Sequence, residues 1–469
     1  MGKYKYLLKN IGLLTIGNFA TKLLSFFLVP LYTNVLTTAQ YGTYDLLNTT
    51  IGILVPLLTL NIMEAVVRFS IDTNYSRDAI VTISNKYLFI SSFIVGGFIL
   101  VNGYFGLIPI LKDYGLYFWL LYVSQAIAGV MVSYARGTDH VASMSLSSVI
   151  ASAFMIACNI VFLLVFKWGL DGYFLANIIG PLAQCVYLIF STNYWKHCKL
   201  RNLYKSQEKE LLNYSSPLIA NSIAWWVNNV SDRYIVTGFC GLAVNGIYSV
   251  SNKIPSILNV FQTIFNQAWI LSAVKDFDPD DKDNFFADTY KVYNSLMVIV
   301  SAIIIISDRF LSHFLYAKSF YIAWKYVPFL TIAILFGAIS GYVGGFFSAK
   351  KDTKIFATST VYGAVVNIVL NLVLVPFIGA MGSAIATMVC YVVVWAFRLM
   401  QSKKYIHLRI NVKKDILVYL LLLLQSIILI YLPENILMYG IEITITTIIV
   451  ILYLDDIKLF WNRMKNKTE

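Results

Sequence analysis

Apolar runs of about 20 residues, the length a helix needs to cross a bilayer, recur from residue 8 to residue 454 of this 469-residue chain. In hydrocarbon a backbone has no water to bond to, so each run must satisfy its own N–H and C=O groups as an α-helix. Hydrophobic residues make up 58% of the chain and charged ones 13%, against about 25% charged in soluble domains. That much apolar surface cannot be hidden in one water-surrounded core. A soluble enzyme with a single anchor is excluded, and so is intrinsic disorder.

The expected fold is therefore all-α and polytopic. Fourteen spans fit the template, at about 8–35, 43–67, 80–107, 116–135, 141–166, 171–194, 211–238, 241–273, 286–308, 321–348, 355–376, 379–400, 414–432 and 435–454. The longest polar stretches, 195–210 and 274–285, are too short to house a soluble catalytic unit. The first run is too long for a signal-peptide core and is expected to stay as a span. Cys158, Cys185, Cys198, Cys240 and Cys390 are scattered without a C-x-x-C pair. They read as small buried hydrophobes, not as a disulfide framework or a zinc site. No cofactor and no metal are expected.

Lys and Arg gather on the cytoplasmic side of membrane proteins. With the N-terminus assigned to the cytoplasm, 28 of the 36 basic residues fall in inner loops and tails, and five fall outside. Lys22, Arg233 and Lys253 remain inside spans. Both termini are then cytoplasmic, and the net charge of +12 faces an anionic leaflet. No loop interleaves a basic patch with aromatics, so nucleic-acid binding is not expected.

Early segments recur about 204–210 residues later. Gly42, Tyr44 and Asn48 match Gly246, Tyr248 and Asn252; Gly169, Gly172 and Ala176 match Gly379, Gly382 and Ala386. An even number of spans separates each pair, so the halves are parallel repeats. This predicts six-helix lobes at 1–200 and 201–402, with helices 13 and 14 appended at 403–469.

Parallel repeats place a transported substrate near the bilayer midplane. Polar stripes mark helices that line such a cavity. The eighth span shows one in Asn245, Ser249, Asn252, Ser256, Asn259, Thr263 and Asn266. The first offers Thr15, Asn18, Lys22 and Ser25; the seventh offers Asn221, Asn228 and Asp232; the eleventh offers Asn367 and Asn371. A mid-bilayer Lys or Arg costs about 2.5–3.5 kcal/mol or more on insertion scales, so it faces a cavity or a partner. Lys22 and Lys253 are the candidate cavity cations. Asp232 and Arg233 are expected to form a latch or fixed pair. Glu64 and Arg68 stand four residues apart, where an intrahelical ion pair forms, and Arg68 could also capture an anionic head group. Asp308 and Arg309, near a helix end, are expected to be solvated, and helices 13 and 14 to carry no intramembrane charge.

Gly17-Asn18, Lys22, Pro30, Tyr41-Gly42-Thr43-Tyr44-Asp45, Ala65-Val66-Val67-Arg68-Phe69, Asp232-Arg233-Tyr234, Gly246-Ile247-Tyr248 and Lys253-Ile254 form a recognisable pattern. It resembles the polysaccharide-exporter branch of the multidrug/oligosaccharidyl-lipid/polysaccharide (MOP) superfamily, the Wzx-type repeat-unit flippases of O-antigen and capsule assembly. The resemblance implies a fourteen-helix, V-shaped transporter in a bacterial cytoplasmic membrane. Its cargo would be an undecaprenyl-diphosphate-linked oligosaccharide moved from the inner to the outer leaflet. Its partners would be the lipid bilayer and the glycan polymerase and glycosyltransferases of the same pathway. Family members carry cavity cations at positions matching Lys22 and Lys253. A multidrug antiporter of the same superfamily, a lipid II flippase and a membrane glycan polymerase or ligase are the alternatives. Trp225, Trp226 and Tyr248 would stack on sugars. If a wet crevice reaches the two lysines, a cysteine at position 22 or 253 will react with water-soluble maleimides. No labelling from either face of the membrane would refute the crevice.

Overall fold

A computed structural model describes residues 26–72, 74–199, 204–275, 277–350 and 352–465. Among the described residues there are eighteen α-helices and no strand. Ten of these helices are long and apolar enough to cross a membrane, or eleven spans if one bent pair counts as one. The difference from fourteen has three sources. Most of the first expected span lies outside the described residues. The seventh and eighth expected spans occur as shorter helices, α9 (Leu218–Val230) with α10 (Asp232–Cys240), and α11 (Leu242–Ser251) with α12 (Ser256–Lys275). Pro255 accounts for the second interruption, because it cannot donate to the carbonyl four residues earlier.

The chain divides into two compact units, residues 1–230 and 231–469. Where the repeat places a boundary at 200/201, the units part inside the seventh expected span. Trp226 gives the reason on the N-terminal side. Its Nε1 donates to the Thr49 carbonyl at 2.9 Å, which docks α9 onto α2 (Thr38–Leu58). The C-terminal helices belong to the second unit and form no third one.

The first unit opens with α1 (Val29–Val35) and α2. Thr37 and Gln40 cap α2 reciprocally, Gln40 N to Thr37 Oγ1 at 3.2 Å and Thr37 N to Gln40 Oε1 at 2.9 Å, which satisfies two orphan donors. The second expected span bends by 57° before α3 (Ile62–Ile71). Leu60 and Asn61, both at φ 52°, make the break. Side chains are strained in that left-handed region, so the bend is held by its surroundings: Asn61 N returns to the Pro56 carbonyl at 2.7 Å. The remaining spans are α4 (Arg77–Phe105), α5 (Pro109–Gly137), α6 (Val141–Ile160), extended by a π-turn over Val161–Val165, and α7 (Gly169–Ser191). They pack as α4 on α5, α5 on α7 and α6 on α7. A short helix, α8 (Lys205–Ser215), leads to α9.

The second unit continues through α13 (Phe285–Leu315), α14 (Val327–Ala349), α15 (Thr353–Ile378), α16 (Ala380–Ser402), α17 (Val412–Tyr431) and α18 (Ile436–Lys465). Its centre is α14, whose apolar stretch is 83% buried. One pair of matched glycines shares a left-handed φ. Gly169 and Gly379 open α7 and α16 at φ 55° and 61°. Tyr44 meets Tyr173 at 4.6 Å between ring centres, and at the same offsets Tyr248 faces Ser383.

Several charges are deeper than the sequence implied. Asp308 and Arg309 are buried, not solvated. Arg398, counted among the inner-loop cations, is 6% exposed. It donates to Ser359 Oγ at 2.9 Å, the Ser340 carbonyl at 3.0 Å and Thr360 Oγ1 at 3.2 Å. Asp415 and Glu442 place buried carboxyls in α17 and α18, where none were expected. Asp415 accepts from Asn294 at 3.0 Å, Tyr453 at 2.9 Å and Tyr290 at 3.2 Å, and so ties α17 and α18 to α13.

Close backbone approach fixes two helix pairs. A Cβ on Gly382 would stand 2.7 Å from the Leu374 carbonyl carbon, and one on Gly137 would stand 2.9 Å from the Val67 oxygen. Gly382→Ala and Gly137→Ala are expected to lose about 1–3 kcal/mol, as overpacking does. Gly97, where a Cβ would meet nothing within 4 Å, is the control. Thermal aggregation of detergent-purified protein followed by size exclusion will rank them.

Candidate functional site

The eighth span was expected to carry one polar face along its whole depth. In the structure α11 stops at Ser251 and α12 begins at Ser256, so the stripe divides. Asn245 and Ser249 are buried in the second unit, while Asn259 and Thr263 are exposed. Lys253 sits half-buried in the break. The carbonyl end of α11 favours a cation there. Asn252 Nδ2 is returned to its own helix, to the Tyr248 carbonyl at 3.1 Å.

Asp232 is the first residue of α10, where the helix dipole favours an anion. Its Oδ1 accepts from Arg233 N at 2.9 Å, and its Oδ2 accepts from the Tyr248 hydroxyl at 2.6 Å. Tyr248 is 1% exposed. It therefore holds α11 to α10 and offers no face to a sugar. The Tyr248 hydroxyl also faces Ser383 and Thr387 of α16. Thr387 Oγ1 accepts from Asn367 Nδ2 at 3.3 Å, and Asn371 Nδ2 donates to Asn367 Oδ1 at 3.1 Å. Asn371 Oδ1 is buried without a hydrogen-bond partner among the described residues. These contacts form a polar chain that runs from the Asp232 carboxyl through Tyr248 and the α16 hydroxyls to Asn367 and Asn371 of α15. The described residues include no group of three or more His, Cys, Asp or Glu that could hold a metal. Ser383 and Thr387 were missed by the sequence argument. Only the Ser383/Tyr173 position in the repeat could have signalled them.

In the first unit Glu64, Arg68 and Asn221 are exposed. Glu64 and Arg68 form no ion pair with each other, contrary to expectation. Glu64 lies in the first turn of α3 and Arg68 in its last, so each complements one end of the helix dipole while reaching solvent. Asn61 Nδ2 bonds Ser222 Oγ at 3.2 Å, which joins the bend to α9. Trp225 is exposed and available for stacking, whereas Trp226 is engaged with Thr49. Asn18 and Lys22 lie outside the described residues.

Beside Arg68, α8 clasps the N-terminal half of α4, the residue Tyr75 before it and the end of α3. Glu208 Oε1 accepts from Lys86 Nζ and the Tyr87 hydroxyl, each at 2.7 Å, and Glu210 accepts from Tyr75. Phe69 packs edge-on against Tyr75 and Tyr214. Burial pushes the Glu208 carboxyl up, but the hydrogen bonds from Lys86 and Tyr87 and the lysine charge outweigh it and hold it below the usual carboxylate value.

The sequence of residues 7–270 matches a family described as polysaccharide biosynthesis protein. The chain belongs to the polysaccharide biosynthesis protein family. Among curated relatives of this family member is Agl15 of Haloferax volcanii, a probable low-salt glycan biosynthesis flippase, 24% identical over 305 residues. The alignment spans 62% of this chain and 61% of that relative's length. Among solved structures, the lipid II flippase MurJ in an inward closed conformation superposes with a TM-score of 0.72 at 16% identity. It covers 96% of this chain and 99% of MurJ. An inward-facing multidrug resistance MATE family transporter of the MOP superfamily gives a TM-score of 0.62 at 14% identity, over 84% and 95% of the two chains. The family member thus has the helical fold of these MOP transporters.

A depressed folded-state carboxyl contributes stability above its unfolded value, and that contribution fades as pH falls through the folded one. The α8 clasp should therefore be intact at neutral pH and loosen below about pH 4. Hydrogen exchange over residues 205–215, corrected for intrinsic rates, should quicken there. Glu208→Gln should quicken it already at neutral pH.

Proposed function

We propose that this protein is a flippase for lipid-linked glycan. It carries an undecaprenyl-diphosphate-linked oligosaccharide repeat unit from the inner to the outer leaflet of a bacterial cytoplasmic membrane. The family match over residues 7–270 is the observation that carries this reading, and the MOP transporter fold is consistent with it. In this proposal Lys22 and Lys253 neutralise the diphosphate, with Arg68 and Arg233 as further positive contacts. Asn18, Asn221, Asn252 and Asn259 exchange hydrogen bonds with sugar hydroxyls, and exposed Trp225 supplies an apolar stacking face. Asp232 and its hydroxyl and amide neighbours respond to a proton or small cation during the transport cycle. The prenyl tail stays in lipid. The glycan polymerase and glycosyltransferases of the pathway are the proposed partners.

The energetics favour this direction. Each negative charge leaving a negative cytoplasm gains about 2.3 kcal/mol per 100 mV. No hydrolysis is needed, and the protein acts as a transporter and not as an enzyme.

Replacing Lys22 or Lys253 by Ala tests the cation role. Surface glycan should fall at least tenfold at unchanged protein abundance, while Lys→Arg should retain most of it. Purified protein in liposomes should speed exposure of a fluorescent polyprenyl-diphosphate sugar to an external quencher. Normal surface glycan in both alanine variants would remove the basis for these roles.

A further inference from the structure

The C-terminal helices hold polar groups that glycan handling leaves unused. Glu442 of α18 is wholly buried, and the polar side chain that faces its carboxyl is Gln425 of α17. It lies six residues into the span Ile436–Asp456, roughly 9 Å along the helix axis. The nearby Gln425 amide is engaged by the Ala302 carbonyl at 3.2 Å and by Thr446 Oγ1 at 3.1 Å, and its own oxygen is unpartnered among the described residues. From α13 comes Arg309, 6% exposed. Its Nη2 donates to the carbonyls of Leu429 and Leu432, at the end of α17. Its guanidinium lies 4.3 Å over the Trp324 ring, and its Nε has no partner among the described residues.

The other charged and titratable groups here are Lys325, over the same Trp324 ring, the tyrosines Tyr316, Tyr321 and Tyr439, His313 against Tyr321, and two carboxyls. Asp308 is wholly buried, with Ser312 at 3.0 Å from one oxygen and no described partner on the other. Glu434, in the α17–α18 turn, is 3.8 Å from Arg309 Nη1 and accepts from Tyr439 at 2.8 Å. Arg309's charge reaches both Glu442 and Asp308, yet neither pairs with it within 4 Å among the described residues. A wholly buried carboxylate faced by one amide, with no counter-ion within 4 Å among the described residues, is costly to keep in an apolar slab, and a carboxylic acid is not.

The geometry points to Glu442 as a proton-binding site of the C-terminal hairpin, whose occupancy decides what Arg309 holds. With the proton on, Glu442 is neutral and Arg309 remains on the carbonyls of Leu429 and Leu432. When the proton leaves to water, Glu442 becomes an anion, and the open Nε of Arg309 turns towards it. The α17 carbonyls are then released and the α17–α18 turn loosens. No electron moves, and the proton is exchanged with water alone. The inference does not depend on what the protein transports.

The test uses the full chain in liposomes with dicyclohexylcarbodiimide. A protonated carboxyl in apolar surroundings adds across its C=N bond and rearranges to a stable acylurea. Peptide mass spectrometry should find that adduct on Glu442, several-fold more in mildly acidic than in alkaline buffer. Hydrogen exchange over residues 429–436, corrected for intrinsic rates, should quicken with rising pH in the parent chain. It should not do so in Glu442→Gln, which is neutral at every pH. An unlabelled Glu442, or a pH response unchanged in Glu442→Gln, would overturn the proposal.

Discussion

A peptide group in hydrocarbon must find its partner within its own chain, and nearly every feature of this molecule follows from that need. It makes helices the dominant element, and it makes each break in a helix informative. At the α2–α3 bend the freed groups are retaken at once, by Thr59 Oγ1 to the Val55 carbonyl at 2.7 Å and by Asn61 N to the Pro56 carbonyl at 2.7 Å. At the α11–α12 break Ser256 Oγ covers the Lys253 carbonyl at 2.6 Å. The two breaks fall in the second and eighth expected spans, which the repeat pairs with each other.

Element type was legible because a bilayer imposes one length and one composition on every span. Boundaries such as 77–105 or 380–402 could be read within a few residues. Breaks were not: left-handed Leu60 carries no local signal, and Asn61, of a type that visits that region more readily than most, is a weak one. Pro255 was such a signal, and its weight was underestimated beside a strong polar periodicity. The division at 230/231 was also hidden, since what binds α9 to the first unit are single long-range contacts, the Trp226 indole N–H on a carbonyl 177 residues earlier and Ser222 on Asn61, 161 residues earlier.

Among the candidate site residues, residue type and depth were legible, and orientation was not. Asp232 was identified from its place in an apolar run, but its tie to Tyr248 was not, because nothing in a linear pattern distinguishes a buried tyrosine from a stacking one. The burial of Arg309 and Arg398 was missed for a similar reason. Both are satisfied chiefly by carbonyls and hydroxyls and not by carboxylates at helical spacing. Such acceptors belong to every sequence equally. A guanidinium with several carbonyl partners can be buried without leaving any complementary charge to be found.

The reach of Arg309 to Leu429 and Leu432, 120 and 123 residues further along the chain, has a consequence for biogenesis. Until α17 has left the ribosome and been inserted, this guanidinium lacks the carbonyl acceptors that satisfy it in the mature molecule. The final hairpin is thus more than an appendage: its arrival completes the solvation of a charge already threaded into the membrane. A nascent chain halted before the hairpin would carry an incompletely satisfied cation, a feature that membrane quality control is able to detect.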